Sequence, residues 1–218
     1  MLNCAPEKGE IFHFQAGQFV MLHILNPDGT TWRAKAYSIC TPPSEKSYLE
    51  LAIKIAGPFT QRAAALREGD TVELDGPHGA FTLSEPKDRD AAFLAGGIGI
   101  TPFYSIIREA TAQRSDLKIT LLYANVAKED IAFLSEILQL TRDNPKFSIC
   151  FLVEQGEMPP PPATTERGRV TIDILKKYCG NFSSTDYYLC GPPVFMDVMH
   201  KLLSGQGVPE ENIRKEHF

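Results

Sequence analysis

The 218-residue sequence is marked first by what it lacks. No apolar run approaches the roughly 20 residues a membrane-spanning helix needs, and "MLNCAPEKGE" carries no apolar core of a secretory signal. There is no Lys/Arg run, and the net charge is −5, which argues against nucleic acid as a partner. The five cysteines, Cys4, Cys40, Cys150, Cys179 and Cys190, are scattered, odd in number and free of any C-x-x-C pair. That pattern fits a reducing, cytoplasmic setting and argues against a disulfide framework, a zinc site or a Cys-ligated iron–sulfur cluster, so no metal is expected. No internal repeat is visible.

What is present divides into two halves with different periods. Residues 17–25 ("GQFVMLHIL"), 34–40, 47–55, 71–76 and 79–83 are short, rich in β-formers and separated by turn signals such as "NPDG" and "GPHG". They predict a small antiparallel barrel, interrupted by one alanine-rich helix over 59–70. From Ala91 the rhythm changes to strands at 91–95, 118–124, 147–153 and 186–190, alternating with helices at 102–113, 129–141, 172–178 and 194–203. That alternation predicts βαβ units on a parallel sheet. The polar "SEPKDRD" (84–90) is the expected boundary, giving domains 1–88 and 89–218. The proline-rich "EMPPPPATTERGR" (157–169) is expected to be an exposed loop without chemistry.

Gly96, Gly97 and Gly99 crowd the first strand-to-helix turn of the second half, followed by Thr101-Pro102. Glycine permits positive φ, a missing Cβ lets a pyrophosphate approach the backbone, and a helix N-terminus attracts its charge. Thr101 can cap the helix and Pro102 suits its first turn. The plainer reading is a glycine turn that only packs helix on strand. A second strand ends in Cys190-Gly191-Pro192-Pro193, at the edge where a parallel sheet opens on its ligand crevice. Cys190 is otherwise read as a small buried hydrophobe.

Together with "KAYSICTPP" (35–43), "KIAGPFTQ" (54–61) and "DGPHGAF" (75–81), these stretches resemble the ferredoxin–NADP reductase family over nearly the whole chain. The resemblance implies an FAD-binding β-barrel domain followed by a Rossmann-like NAD(P)-binding domain. It implies that Tyr37 lies against the isoalloxazine ring and Ser38 near flavin N5. Ala36 and the flanking Ile53 and Lys54 join the flavin site, and Gly57, Pro58, Phe59 and Thr60 form a second flavin-phosphate contact. Gly96, Gly97, Gly99, Thr101, Pro102 and Asn125 would hold the nicotinamide dinucleotide, with Gly191 and Pro192 beside it. Cys190 would sit by nicotinamide C4 during hydride transfer. Glu216 and Phe218 resemble the family's terminal acid and shielding aromatic; a frayed tail is the alternative.

The chain departs from the family at three places. Lys35 stands where the family usually has Arg, and an ammonium meets phosphate only as a point charge. Arg33, two residues earlier on the same strand face, can serve instead. The first barrel strand is expected to be missing, leaving an edge for a partner to cover. No iron–sulfur domain is expected to follow Phe218, and the one-electron acceptor, such as a ferredoxin, iron or a haem protein, is then expected to be a separate molecule. The expected activity is NAD(P)H-dependent flavin reduction, through FAD rather than FMN. NADH is favoured because only Lys128, followed by Glu129 and Asp130, comes after Asn125. Two other readings stand beside it: an electron-transfer subunit inactive alone, and a nicotinamide-binding sensor without flavin.

Overall fold

The computed structural model describes residues 1–83 and 89–217. Most of the expected boundary, and Phe218, therefore lie outside the described residues. The first half contains β1 (Leu2–Cys4), β2 (Phe19–Leu25), β3 (Thr31–Ser38), β4 (Leu49–Leu51), α1 (Pro58–Ala64) and β5 (Val72–His78). Strands β3, β2 and β5 form an antiparallel sheet in that order, and β1 pairs antiparallel with β4. An Ile39–Leu51 bridge links the two sheets. Strict alternation along β2 turns Val20, Leu22 and Ile24 inward, where they meet Phe14, Ile39, Leu49, Leu51 and Phe59.

Four expectations for this half need correction. A strand does precede Gly17: β1 takes up one side of β4, and Ile39 takes the other. Residues 79–83 form no strand. Gly79, at φ +92°, turns the chain out of the ladder, and Phe81 docks instead on the second half. The helix expected over 59–70 stops at Ala64, because Asp70 Oδ2 accepts from Arg67 N at 2.7 Å and Gly69 turns at φ +92°. Of residues 47–55, only Leu49–Leu51 forms strand.

The second half runs β6 (Asp90–Gly96), α2 (Thr101–Ala112), β7 (Ile119–Asn125), α3 (Leu134–Asp143), β8 (Phe147–Val153), β9 (Thr165–Arg167), α4 (Ile172–Cys179), β10 (Thr185–Cys190), α5 (Pro193–Ser204) and β11 (Ile213–Glu216). All six strands are parallel, in the order β11-β10-β6-β7-β8-β9. The central strands are buried on both faces, which is why β6 and β8 read as near-continuous apolar runs. A Lys128–Asp130 turn precedes α3, which starts five residues later than expected. The proline-rich loop contributes β9.

The two halves share one apolar core. Phe81 packs edge-on to Tyr188 and tilted on Phe103, with centroids 5.7 and 5.6 Å apart, and Phe93 stacks on Phe103 at 4.7 Å. Such pairs contribute about 0.5–1.5 kcal/mol each beyond burial. Cys40 and Ala52 of the first half join the same cluster as Cys190.

Candidate functional site: a crevice between the two halves

The parallel sheet reverses direction between β6 and β10. From β6 the chain moves one way through β7, β8 and β9, then returns to β10 and β11 on the other side. The crevice at the carboxyl ends of such neighbouring strands is where this architecture takes ligands. The glycine turn after β6 and the Cys190-Gly191-Pro192 turn after β10 meet there.

Their glycines have different jobs. A Cβ on Gly99 would collide with the Cys190 carbonyl oxygen and stand 2.7 Å from Gly191 N; one on Gly96 would lie 3.0 Å from the Phe195 ring and 3.1 Å from Pro192. Gly191 (φ +159°) lies against the Gly96 backbone. These three let the turns interlock. Of these four glycines, Gly97, at φ +54°, has no atom of the described residues within 4 Å on its Cβ side, so its backbone is open to an approaching group. Pro102 occupies the first turn of α2 as expected, but Thr101 does not cap it: its hydroxyl donates back to Ile98 O at 3.1 Å. Among the described residues no side chain caps α2. The 3-10 turn over Gly97–Ile100 runs straight into it, Thr101 N donates to Ile98 O and Pro102 has no N–H, so any unpaired N–H groups lie at the start of that turn, around Gly97.

On the other wall, β3 presents Arg33, Lys35 and Tyr37 at alternate positions, with Ala36 exposed between them. Phe59 is stacked by Tyr37 and Trp32 at 6.1 and 6.2 Å. Cations ring this stack: Lys35 lies 5.8 Å from the Phe59 ring, and Arg33 and Arg62 lie 5.1 and 4.5 Å from Trp32. Sequence reasoning missed Arg62, although its place one turn into the helix after Gly57 was a usable signal. Burial raises the Tyr37 phenol's pKa. Ser38 is buried, and its hydroxyl has no hydrogen-bond partner among the described residues. An unpaired buried hydroxyl is costly, so the position is one that a ligand can relieve.

Gly57 has open space where a Cβ would stand, beside exposed Pro58. Thr60 serves the loop itself: its Oγ1 accepts from Ala56 N at 2.8 Å and Gly57 N at 3.0 Å. Its hydroxyl is thereby committed to capping rather than free for phosphate. Ile53 is half-buried and Lys54 exposed, the latter 3.7 Å from Asp130 across the crevice.

Cys190 is fully buried, and its thiol is pushed well above the usual range by burial and then by Glu216, so it sits there as a neutral thiol. Glu216 pairs in register with Cys190 on β11, which places it in the sheet rather than in a frayed tail. Its Oε2 lies 4.0 Å from where a Cβ on Gly79 would stand, reaching the first half. Burial raises the Glu216 pKa. Such a carboxyl carries no penalty while protonated, and folded stability is lost as pH rises from the unfolded pKa through the raised folded one. Glu216→Gln is expected to flatten that loss just above the ordinary carboxylate range. Denaturant titrations from pH 4 to 8 check it, and unchanged pH dependence would count against it.

At the far end, Asn125 is buried at the end of β7. Lys128 is tied to Glu157 at 3.0 Å. The loop expected to lack chemistry also brings Arg169, paired to Glu154 at 3.0 Å, and Arg167, which donates to Gly156 O at 2.9 Å. No helix among the described residues is long and apolar enough to cross a membrane.

An antiparallel sheet domain with an aromatic, cation-ringed wall, set against a parallel sheet open at its switch point, defines a two-dinucleotide redox protein. Residues 4–83 match the family described as "Oxidoreductase FAD-binding domain", and residues 93–201 match "Oxidoreductase NAD-binding domain". The chain is 29% identical over 223 residues to the reductase component of propane 2-monooxygenase from Rhodococcus jostii, covering 100% of this chain and 59% of that protein. It is 32% identical over 178 residues to NADH-cytochrome b5 reductase 1 of Debaryomyces hansenii, covering 79% and 62%. The chain thus spans about three-fifths of these relatives' lengths. The FAD/NAD-binding domain of nitric oxide dioxygenase from Vibrio cholerae shares the fold at TM-score 0.84 and 22% identity, covering 98% of this chain and 90% of that one. The chain belongs to the oxidoreductase family built from these FAD- and NAD-binding domains, with FAD and a pyridine nucleotide as its cofactors, and it has the ferredoxin–NADP reductase fold.

Proposed function

We propose that this chain passes electrons from NADH through FAD to a separate one-electron acceptor. The observation that carries the reading is the open Gly97 backbone at the switch point, at the start of the 3-10 turn that leads into α2 and beside the Gly191 turn. The residues fit FAD as well. Tyr37 offers a face for the flavin ring, Ser38 a hydroxyl awaiting a partner, and Arg33 and Lys35 charge for the phosphates. The backbone at Gly57 leaves room for them. When bound, FAD takes two electrons from reduced nicotinamide and releases them singly.

The chain's own groups orient and shield. Cys190 backs the nicotinamide pocket as a neutral side chain, and Glu216, its register partner, places a carboxyl whose pKa burial raises at the inner edge of the crevice. Asn125, Thr101 and Pro102 shape the dinucleotide wall, and Pro192 completes it. We divide the chain at residue 88, and its free thiols suit a reducing cytoplasm. NADH is preferred because Lys128 and Arg169 are already paired with Glu157 and Glu154, so a 2′-phosphate would have to displace a carboxylate. The relatives named for a monooxygenase and for cytochrome b5 support an acceptor that is a separate redox protein.

The test is to denature the purified protein, identify the released flavin, and compare kcat/KM for NADH and NADPH with an artificial acceptor. FAD and an NADH preference of at least about 10-fold, roughly 1.4 kcal/mol, are expected. No bound flavin and none taken up would overturn the reading, and an NADPH preference would overturn the ribose assignment.

A further inference from the structure

We propose that Ser105 and Arg108 are positioning residues that set the separation between the flavin and nicotinamide sites, a step that rests on the reading above. Helix α2 starts directly after the Gly97 turn. Ser105 lies one turn along it, about 6 Å. It is fully buried, and its Oγ donates to Thr41 O at 2.6 Å. Arg108 Nη1 donates to Cys40 O at 3.1 Å and to Glu50 Oε2 at 2.7 Å, with the guanidinium 5.0 Å from the Tyr104 ring. Glu109 Oε2 accepts from Ser44 N at 3.0 Å.

Ser105, Arg108 and Glu109 are spaced i, i+3 and i+4, so they share one helical face. That face grips the backbone of residues 40–44, which begins two residues beyond Ser38. One rigid element therefore carries the dinucleotide turn at its start and holds the Ser38 strand end by its flank.

The other joints between the halves do not have this directionality. The Phe81–Phe103–Tyr188 cluster is apolar, and apolar burial alone does not fix a register. The Lys54–Asp130 pair is exposed on both sides and screened by solvent. The Arg108–Glu50 pair is about one-fifth exposed on each side, a desolvated pair of the kind that specifies geometry more than it stabilises. Reaction between two bound groups is steep in their separation, and a displacement near 1 Å can cost on the order of 100-fold.

The experiment uses Ser105→Ala, which removes the donor with little change in volume, and Arg108→Lys, which keeps the charge but loses the fork. Stopped-flow reduction by varied NADH, normalised to bound flavin, should show limiting rates about 10-fold lower. Flavin content and NADH Kd should stay within about two-fold. Independently of any cofactor, amide exchange across residues 38–44 should accelerate in both variants while β7 and β8 stay as protected as in the parent protein. Wild-type rates per flavin with only a lower melting temperature would overturn the proposal, as would unchanged exchange at 38–44. A parent protein that neither holds flavin nor oxidises NADH would sink the functional reading instead, and the exchange result would still decide whether α2 holds this segment.

Discussion

Gly99→Ala is expected to destabilise the protein by about 3 kcal/mol or more, while Gly97→Ala costs only about 1–2 kcal/mol. The two residues lie two positions apart in one turn, and on sequence grounds they are equivalent. In the structure a Cβ on Gly99 runs into the Cys190 carbonyl, and the obstacle is backbone at the end of a buried central strand. It cannot rotate aside, so β10 and the start of α2 would have to separate. Gly97 has open space and only its φ of +54° to strain. Because folded domains retain about 5–15 kcal/mol, the first substitution should consume a large fraction of the stability. Denaturant midpoints of the two variants test the ranking. Equal losses would show that the interlock of the two turns is not rigid. The same pair also separates packing from binding: Gly97→Ala should weaken pyridine-nucleotide binding more than its small stability cost suggests.

Ser38→Ala is expected to act in opposite directions on stability and on function. Among the described residues the hydroxyl is buried without a partner, and removing such a group recovers about 1 kcal/mol of desolvation cost. The flavin-free variant should therefore unfold at slightly higher denaturant. With FAD bound, the same change removes the hydroxyl assigned to the reacting edge of the ring. Flavin reduction by NADH should slow by roughly 10- to 100-fold, and kcat and kcat/KM should fall together if the contact tightens only during reaction. A variant less stable without flavin, and as fast as the parent with it, would assign Ser38 a packing role alone.

Much of the local structure was legible because it depends on short-range periodicity. The strand expected over residues 17–25 and the buried runs at 91–95 and 147–153 correspond to β2, β6 and β8 within a residue or two. Short-range signals failed where a segment had a stronger partner elsewhere. Residues 79–83 have strand composition, yet Phe81 is buried against Phe103 and Tyr188 in the second half. Thr101 stands at a helix start with a capping side chain, but a 3-10 turn over Gly97–Ile100 places the Ile98 carbonyl within its reach, and the hydroxyl donates there.

The sequence by itself determined the two-half plan, the parallel sheet, the glycine turn after the first strand of that sheet, and the family to which the stretches around Tyr37, Gly97 and Cys190 point. These follow from side-chain period, turn chemistry and contiguous motifs, all local along the chain. Only the tertiary structure decided which strands are neighbours, and with that the pairing of Cys190 with Glu216 and of β1 with β4. It also divided the glycines between packing and open backbone, paired Lys128 with a carboxylate 29 residues away, and set Ser105 and Arg108 on the carbonyls of Cys40 and Thr41. The reason is physical: such contacts join residues far apart in the chain, and their energies depend on burial and register that exist only once the sheet has formed.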